Sequence, residues 1–117
     1  MNKEDINKVI EVAESLGWNV TIEESYIDGC SFEFSKFSPA GQDFNVFIDN
    51  TGDAETLKAL LYERYTNFDV SEETYLWLDD TGHGVNGAPY DMRDLYDDME
   101  KCQEMILELY NELSVTW

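Results

Sequence analysis

Met92-Arg93-Asp94-Leu95-Tyr96-Asp97-Asp98-Met99-Glu100-Lys101-Cys102-Gln103-Glu104-Met105-Ile106-Leu107-Glu108-Leu109-Tyr110-Asn111-Glu112-Leu113 is the longest periodic stretch of the chain. Met92, Leu95, Met99, Cys102, Ile106, Leu109 and Leu113 follow one another in steps of three and four, the interval that keeps side chains on one face of an α-helix. The spacing predicts a long C-terminal helix with an unbroken apolar seam. Cys102 reads as a small core residue of that seam rather than a reactive thiol. The flanking positions are mostly acids and tyrosines, not complementary charges, so the seam is expected to bury against the monomer's own sheet rather than form a coiled coil.

The surface for that seam is read upstream. Trp18, Val20 and Ile22 alternate with polar residues, as do Cys30, Phe32 and Phe34, with a turn signal at Tyr26-Ile27-Asp28-Gly29 between them. Phe44, Val46 and Ile48 alternate again after Ser38-Pro39-Ala40-Gly41-Gln42, a connection that Pro and Gly make tight. These runs predict three antiparallel strands, the last broken by Asn50-Thr51-Gly52-Asp53. Ahead of them, Ile6, Val9, Ile10, Ala13 and Leu16 predict a helix capped by Asn2 and ended by Gly17. Behind them, Ala54, Leu57, Leu61 and Arg64 predict a second helix. Ser71, with Glu72 and Glu73 in the first turn, predicts a short third one carrying Tyr75, Trp77 and Leu78. The fold class is α+β: an N-terminal helix, a three-stranded antiparallel sheet, then two or three helices packed on one sheet face. A chain of 117 residues has room for one domain, 1–117, and no internal repeat divides it.

Composition narrows the function. Seven Lys or Arg stand against 26 Asp or Glu, a net charge of −19, while 43% of residues are hydrophobic and 14% aromatic. The apolar content points to a folded chain rather than an acidic disordered one. The charge excludes direct phosphate binding, which needs clustered cations, and docking on anionic lipid. Any charged partner is expected to be a basic protein. No run approaches the ~18 apolar residues of a membrane span, and charge occupies the N-terminus where a secretory signal is apolar. Cys30 and Cys102 have no C-x-x-C spacing, so the expectation is a cytoplasmic protein with reduced thiols and no metal on cysteine.

Catalytic motifs are thin. Asp80-Thr81-Gly82 matches the triplet of aspartic proteases, but those enzymes set it after an apolar strand of an almost all-β fold. Here it follows a helical stretch and reads as a turn. His83 is the single histidine and has no nucleophile elbow to serve. Asp79, Asp80 and Asn86 lack the calcium-loop spacing. No phosphate loop or dinucleotide fingerprint occurs, so neither an enzyme nor a cofactor is expected.

The acids carry more. Between Arg64 and Arg93 there is no Lys or Arg, while Asp69, Glu72, Glu73, Asp79, Asp80 and Asp91 fall in that interval. On the C-terminal helix Glu100, Glu104, Glu108 and Glu112 recur every four residues, each about 6 Å further along the axis and turned by about 40°. Like charges at that spacing cost near 1 kcal/mol over three steps, and Glu108 and Glu112 lie at the end where the helix dipole disfavours acids. Folding gains nothing from the stripe. A solubility coat explains it about as well as mimicry of a phosphate backbone.

Phe34-Ser35-Lys36-Phe37-Ser38-Pro39-Ala40-Gly41-Gln42-Asp43-Phe44 resembles a signature of short acidic proteins from bacteria, phages and mobile elements, in which a strand runs through S-P-A-G-x-D-F into another strand. Asn67-Phe68-Asp69-Val70, Gly84-Val85-Asn86-Gly87-Ala88-Pro89 and the acidic last helix are similar to that group too. The resemblance implies a setting that includes anti-restriction and anti-CRISPR inhibitors, many of them nucleic-acid mimics. Within the motif, Asp43 reads first as a carboxylate bonding the loop's own amides.

The combined expectation is a monomeric, non-enzymatic inhibitor that blocks the nucleic-acid groove of a defence nuclease. Its partner-binding residues are expected to be Asp79, Asp80, Asp94, Asp98, Glu100, Glu104, Glu108 and Glu112. The alternative is an immunity protein or antitoxin that neutralises a basic toxin, adding an aromatic anchor from Tyr75, Trp77 or Tyr110.

Overall fold

A computed structural model describes residues 1–25, 29–76 and 92–116. In chain order these form α1 (Lys3–Ser15), β1 (Asn19–Ser25), β2 (Gly29–Phe37), β3 (Asp43–Thr51), α2 (Ala54–Thr66), α3 (Val70–Leu76) and α4 (Met92–Thr116). The sheet is antiparallel with order β1-β2-β3. This is the α+β arrangement the sequence predicts.

Local chemistry sets the ends. The Asn2 side chain accepts from the Asp5 amide at 2.8 Å and starts α1. Gly17, at φ 91°, lets the chain reverse so that the Trp18 amide returns to the Ala13 carbonyl at 3.0 Å. At the other side of the sheet, Asp53 caps α2 by accepting from the Thr56 amide at 2.7 Å. That bond holds the Asp53 carboxyl below its usual value.

Two boundaries and one seam position differ from expectation. β3 continues through Asn50 and Thr51, because a bulge between Cys30 and Phe32 brings Thr51 opposite Cys30, and the Thr51 hydroxyl donates to the Cys30 carbonyl at 2.6 Å. Gly29 makes that approach possible: at φ 89°, a Cβ there would lie 2.6 Å from the Thr51 carbonyl oxygen. Asp69, not Ser71, opens α3, accepting from the amides of Ser71 and Glu72 at 3.0 and 3.2 Å. Met92, the first residue of the predicted seam, is exposed. The Tyr26-Ile27-Asp28 turn, Trp77 and Leu78 lie outside the described residues.

The other six seam residues, Leu95, Met99, Cys102, Ile106, Leu109 and Leu113, are fully buried. They pack into one cluster with Phe32, Phe34, Phe44, Val46 and Ile48 from the inner sheet face, Ile6 and Val9 from α1, and Leu57 and Leu61 from α2. Each such side chain contributes about 1.5–3 kcal/mol relative to exposure, so the seam is a main hold on α4. α1 lies against β1, α2 against β3, and α4 touches both helices, so it runs between them. Gln103 ties α4 to the end of α2, donating at 3.2 Å to the carbonyls of Tyr65 and Phe68. Among the described residues no helix packs on the outer sheet face, where Glu33, Phe37, Asp43 and Phe47 are exposed. No described helix is long and apolar enough to cross a membrane.

Candidate functional site

α4 turns its seam to the core, and its 3.6-residue repeat then sends every fourth residue from Glu100 to the far side. Glu100, Glu104, Glu108 and Glu112 are all exposed there. None of them forms an ion pair among the described residues, where the pairs are Lys58–Glu55 at 2.8 Å and Arg64–Glu73 at 3.6 Å. Lys101, on the same helix, forms no ion pair with Asp97. The result is a row of carboxylates fixed on one helix and, among the described residues, not paired with a cation.

Asp98 departs from the expected set. It is 3% exposed, and both its oxygens are used within the fold: Oδ2 accepts from the Ser38 hydroxyl at 2.5 Å and Oδ1 from the Ala40 amide at 3.0 Å. The Ser38 hydroxyl in turn accepts from the Gln42 amide at 2.9 Å. With the Ser38 amide donating to the Gln42 carbonyl at 2.8 Å and Gly41 at φ 93°, the loop over residues 38–42 closes on itself and is clasped by α4. Asp98 is therefore a positioning residue, not a partner contact. It also takes the role expected of Asp43, which is exposed at the start of β3.

The clasp joins two features that lie far apart in the sequence. Pro39 and Ala40 of the loop and Asp94, Asp97 and Lys101 of α4 line a shallow cleft of about 250 Å³. The acidic face thus extends from this cleft, past Glu100, to Glu112. Asp94 belongs to its exposed end, whereas Asp79, Asp80 and His83 lie outside the described residues.

Little else here suggests chemistry. Among the described residues no group of three or more His, Cys, Asp or Glu could hold a metal ion. Burial, with the nearby Asp98 and Glu73 carboxylates, pushes the Cys102 thiol up to about 12, which leaves it protonated and inert at neutral pH. Of the expected aromatic anchors, Tyr75 is 66% exposed at the end of α3, while Tyr110 packs against the core and meets the Tyr62 ring at 5.1 Å between centroids, tilted by 46°. Comparison with protein-family models, with curated proteins and with solved structures finds no match to this chain.

Proposed function

We propose that the protein is a non-enzymatic inhibitor that presents the α4 carboxylates to the basic nucleic-acid groove of a defence nuclease of the restriction or CRISPR kind. The observation that carries this is the row of Glu100, Glu104, Glu108 and Glu112, exposed and unpaired among the described residues on one face of a helix anchored by its whole length. Its step of about 6 Å is close to the separation of phosphates along one strand, ~3.4 Å of axial rise plus the helical path. A rigid helix keeps that spacing without the ordering cost of a flexible acidic tail. Competition for the groove needs no catalytic group. The partner is a basic protein, and the site of action in this reading is the cytoplasm, where such nucleases meet DNA.

The test is a plasmid-cleavage assay with purified restriction and CRISPR-effector nucleases. The protein should inhibit at least one of them, competitively with DNA and less strongly as salt rises. Changing Glu100, Glu104, Glu108 and Glu112 together to Gln should weaken inhibition roughly 100-fold while the fold persists. Inhibition that DNA cannot relieve would instead favour the toxin-neutralising reading. The exposed ring of Tyr75, a suitable anchor outside the stripe, is the observation in its favour.

A further inference from the structure

The acidic helix is not the only surface that asks for a partner. Strand alternation sends the even-numbered residues of β2, and of β3 as far as the bulge, into the core and the odd-numbered ones to the outer sheet face. On that outer face Glu23, Glu33, Asp43 and Asp49 are exposed, and no Lys or Arg of the three strands joins them. Lys36, the one cation in the sheet, lies on the inner side, where its Nζ donates to the Leu16 carbonyl at 2.7 Å. Two aromatic rings stand among these acids: Phe37 is 71% exposed and Phe47 57%. Phe47 sits directly across from Glu33 in the β2–β3 register. It also forms one wall of a groove of about 330 Å³ that runs between β3 and α2, with Leu60 as apolar floor and Asp49 and Glu63 at the rim. The cation of the groove, Arg64, is already engaged by Glu73 at 3.6 Å and by the Phe68 ring at 5.1 Å.

We infer that this face and groove form a second docking surface, and that its occupant is a Lys- or Arg-rich segment of a protein partner. The aliphatic stem of a basic side chain, or an apolar neighbour, lies on Phe47 and Leu60, and the cation reaches Glu63 or Glu33. A second copy of the chain does not fit the charge: each carries −19, and the one cation that lines the groove, Arg64, is already held by Glu73. Nucleic acid is excluded by the same sign. The outer sheet face is the side of the sheet that α4 does not cover, and none of the stripe's glutamates lines the groove, so the surface is independent of the inhibitor reading and marks a separate contact.

The test is an amide-shift titration by NMR on the full chain, in the background in which the four α4 glutamates are Gln. That background removes the stripe as a competing cation site. The probes are a short alternating arginine–leucine peptide and an arginine–serine peptide of equal charge. The first should shift amides centred on Phe47, Leu60 and Glu63, and the second should bind ~10-fold or more weakly. Phe47→Lys and, separately, Glu33→Lys should each reduce the affinity of the first peptide by a similar factor while the rest of the spectrum stays folded. Equal affinity for the two peptides, or shifts spread evenly over all exposed acids, would overturn the inference. So would concentration-dependent shifts at Phe47 without peptide, which would put a second copy on the face. Failure of nuclease inhibition leaves these outcomes unchanged, and failure here leaves the nuclease assay unchanged.

Discussion

At Asp98 a carboxylate is almost fully buried and accepts from Ser38 and Ala40, whereas two residues later Glu100 begins a run of four carboxylates that face solvent without a described cation. The two regions share one helix, one residue class and one excess of charge. They differ in angle: Asp98 stands three residues after Leu95 and four before Cys102, on the border of the seam, and Glu100 stands two residues beyond that border. Position on the helix, not acidity, separates a carboxylate that builds the fold from carboxylates that stay in solvent. Net charge of −19 is therefore a poor guide to how many acids are available for binding.

Removing the buried member of the comparison should have the largest effect. Asp98→Ala deletes the acceptor of one hydroxyl and one amide in a buried setting, and should destabilise the protein by about 3 kcal/mol in urea unfolding. It should also loosen the loop over residues 38–42, seen as faster amide exchange at Ala40. A loss under ~0.5 kcal/mol would return Asp98 to the class of surface acids.

The stripe itself gives the next effect. The four α4 glutamates changed to Gln should lose roughly 100-fold in nuclease inhibition, whereas Glu4, Glu11, Glu14 and Glu72 changed to Gln should lose at most a few-fold. Both variants alter charge by the same amount, and all eight acids are exposed. Equal losses would mean that only total charge matters. The α4 variant should also be slightly more stable, by up to about 1 kcal/mol, because like charges four residues apart are relieved.

Smaller still is the effect expected at Gln42. Its side chain is fully buried beside the clasped loop, and neither its Oε1 nor its Nε2 has a hydrogen-bond partner. Gln42→Met keeps the length and removes the buried amide, and should raise stability by about 1 kcal/mol in the same unfolding assay. Such a gain would show that the loop is held by Asp98 and the backbone rather than by Gln42.

The smallest effect concerns the acid that caps α2. Its folded carboxyl titrates below the unfolded value of 3.8, so the stability it adds is present above 3.8 and is lost as pH falls through the lower folded value. Asp53→Ala should flatten that part of the acid-unfolding curve, and Asp53→Ser should restore the cap without the pH dependence.

The sequence made most of this architecture readable because the decisive signals are local. Alternation at Phe32, Phe34, Phe44, Val46 and Ile48 found two strands of the sheet, and the three-and-four steps from Leu95 to Leu113 found α4. The Asp98 clasp was half readable: an acid bordering an apolar seam needs a partner, and that much is visible in the spacing. Its partner Ser38 is 60 residues away, and no periodicity spans that distance. The end of β3 is hidden from the sequence for a similar reason, since the bulge opposite Cys30 depends on pairing between strands. Asp69 and Ser71 are both good caps, and only the path of the backbone into α3 decides between them. The Phe47 groove left no trace in the strand pattern, because it forms where β3 meets α2.

The order of elements along the chain has a consequence for biosynthesis. The sheet is complete at Thr51, but the helix that covers its middle begins at Met92 and ends at Thr116. At ~5–20 residues per second, the 65 residues from the end of β3 to the end of α4 take about 3–13 s to be made. During that interval the nascent sheet carries Phe32, Phe34, Phe44 and Val46 without their cover, a surface that invites chaperone capture or association between chains on neighbouring ribosomes. The acids of the outer sheet face are already in place at that moment, and their mutual repulsion works against association of half-made chains.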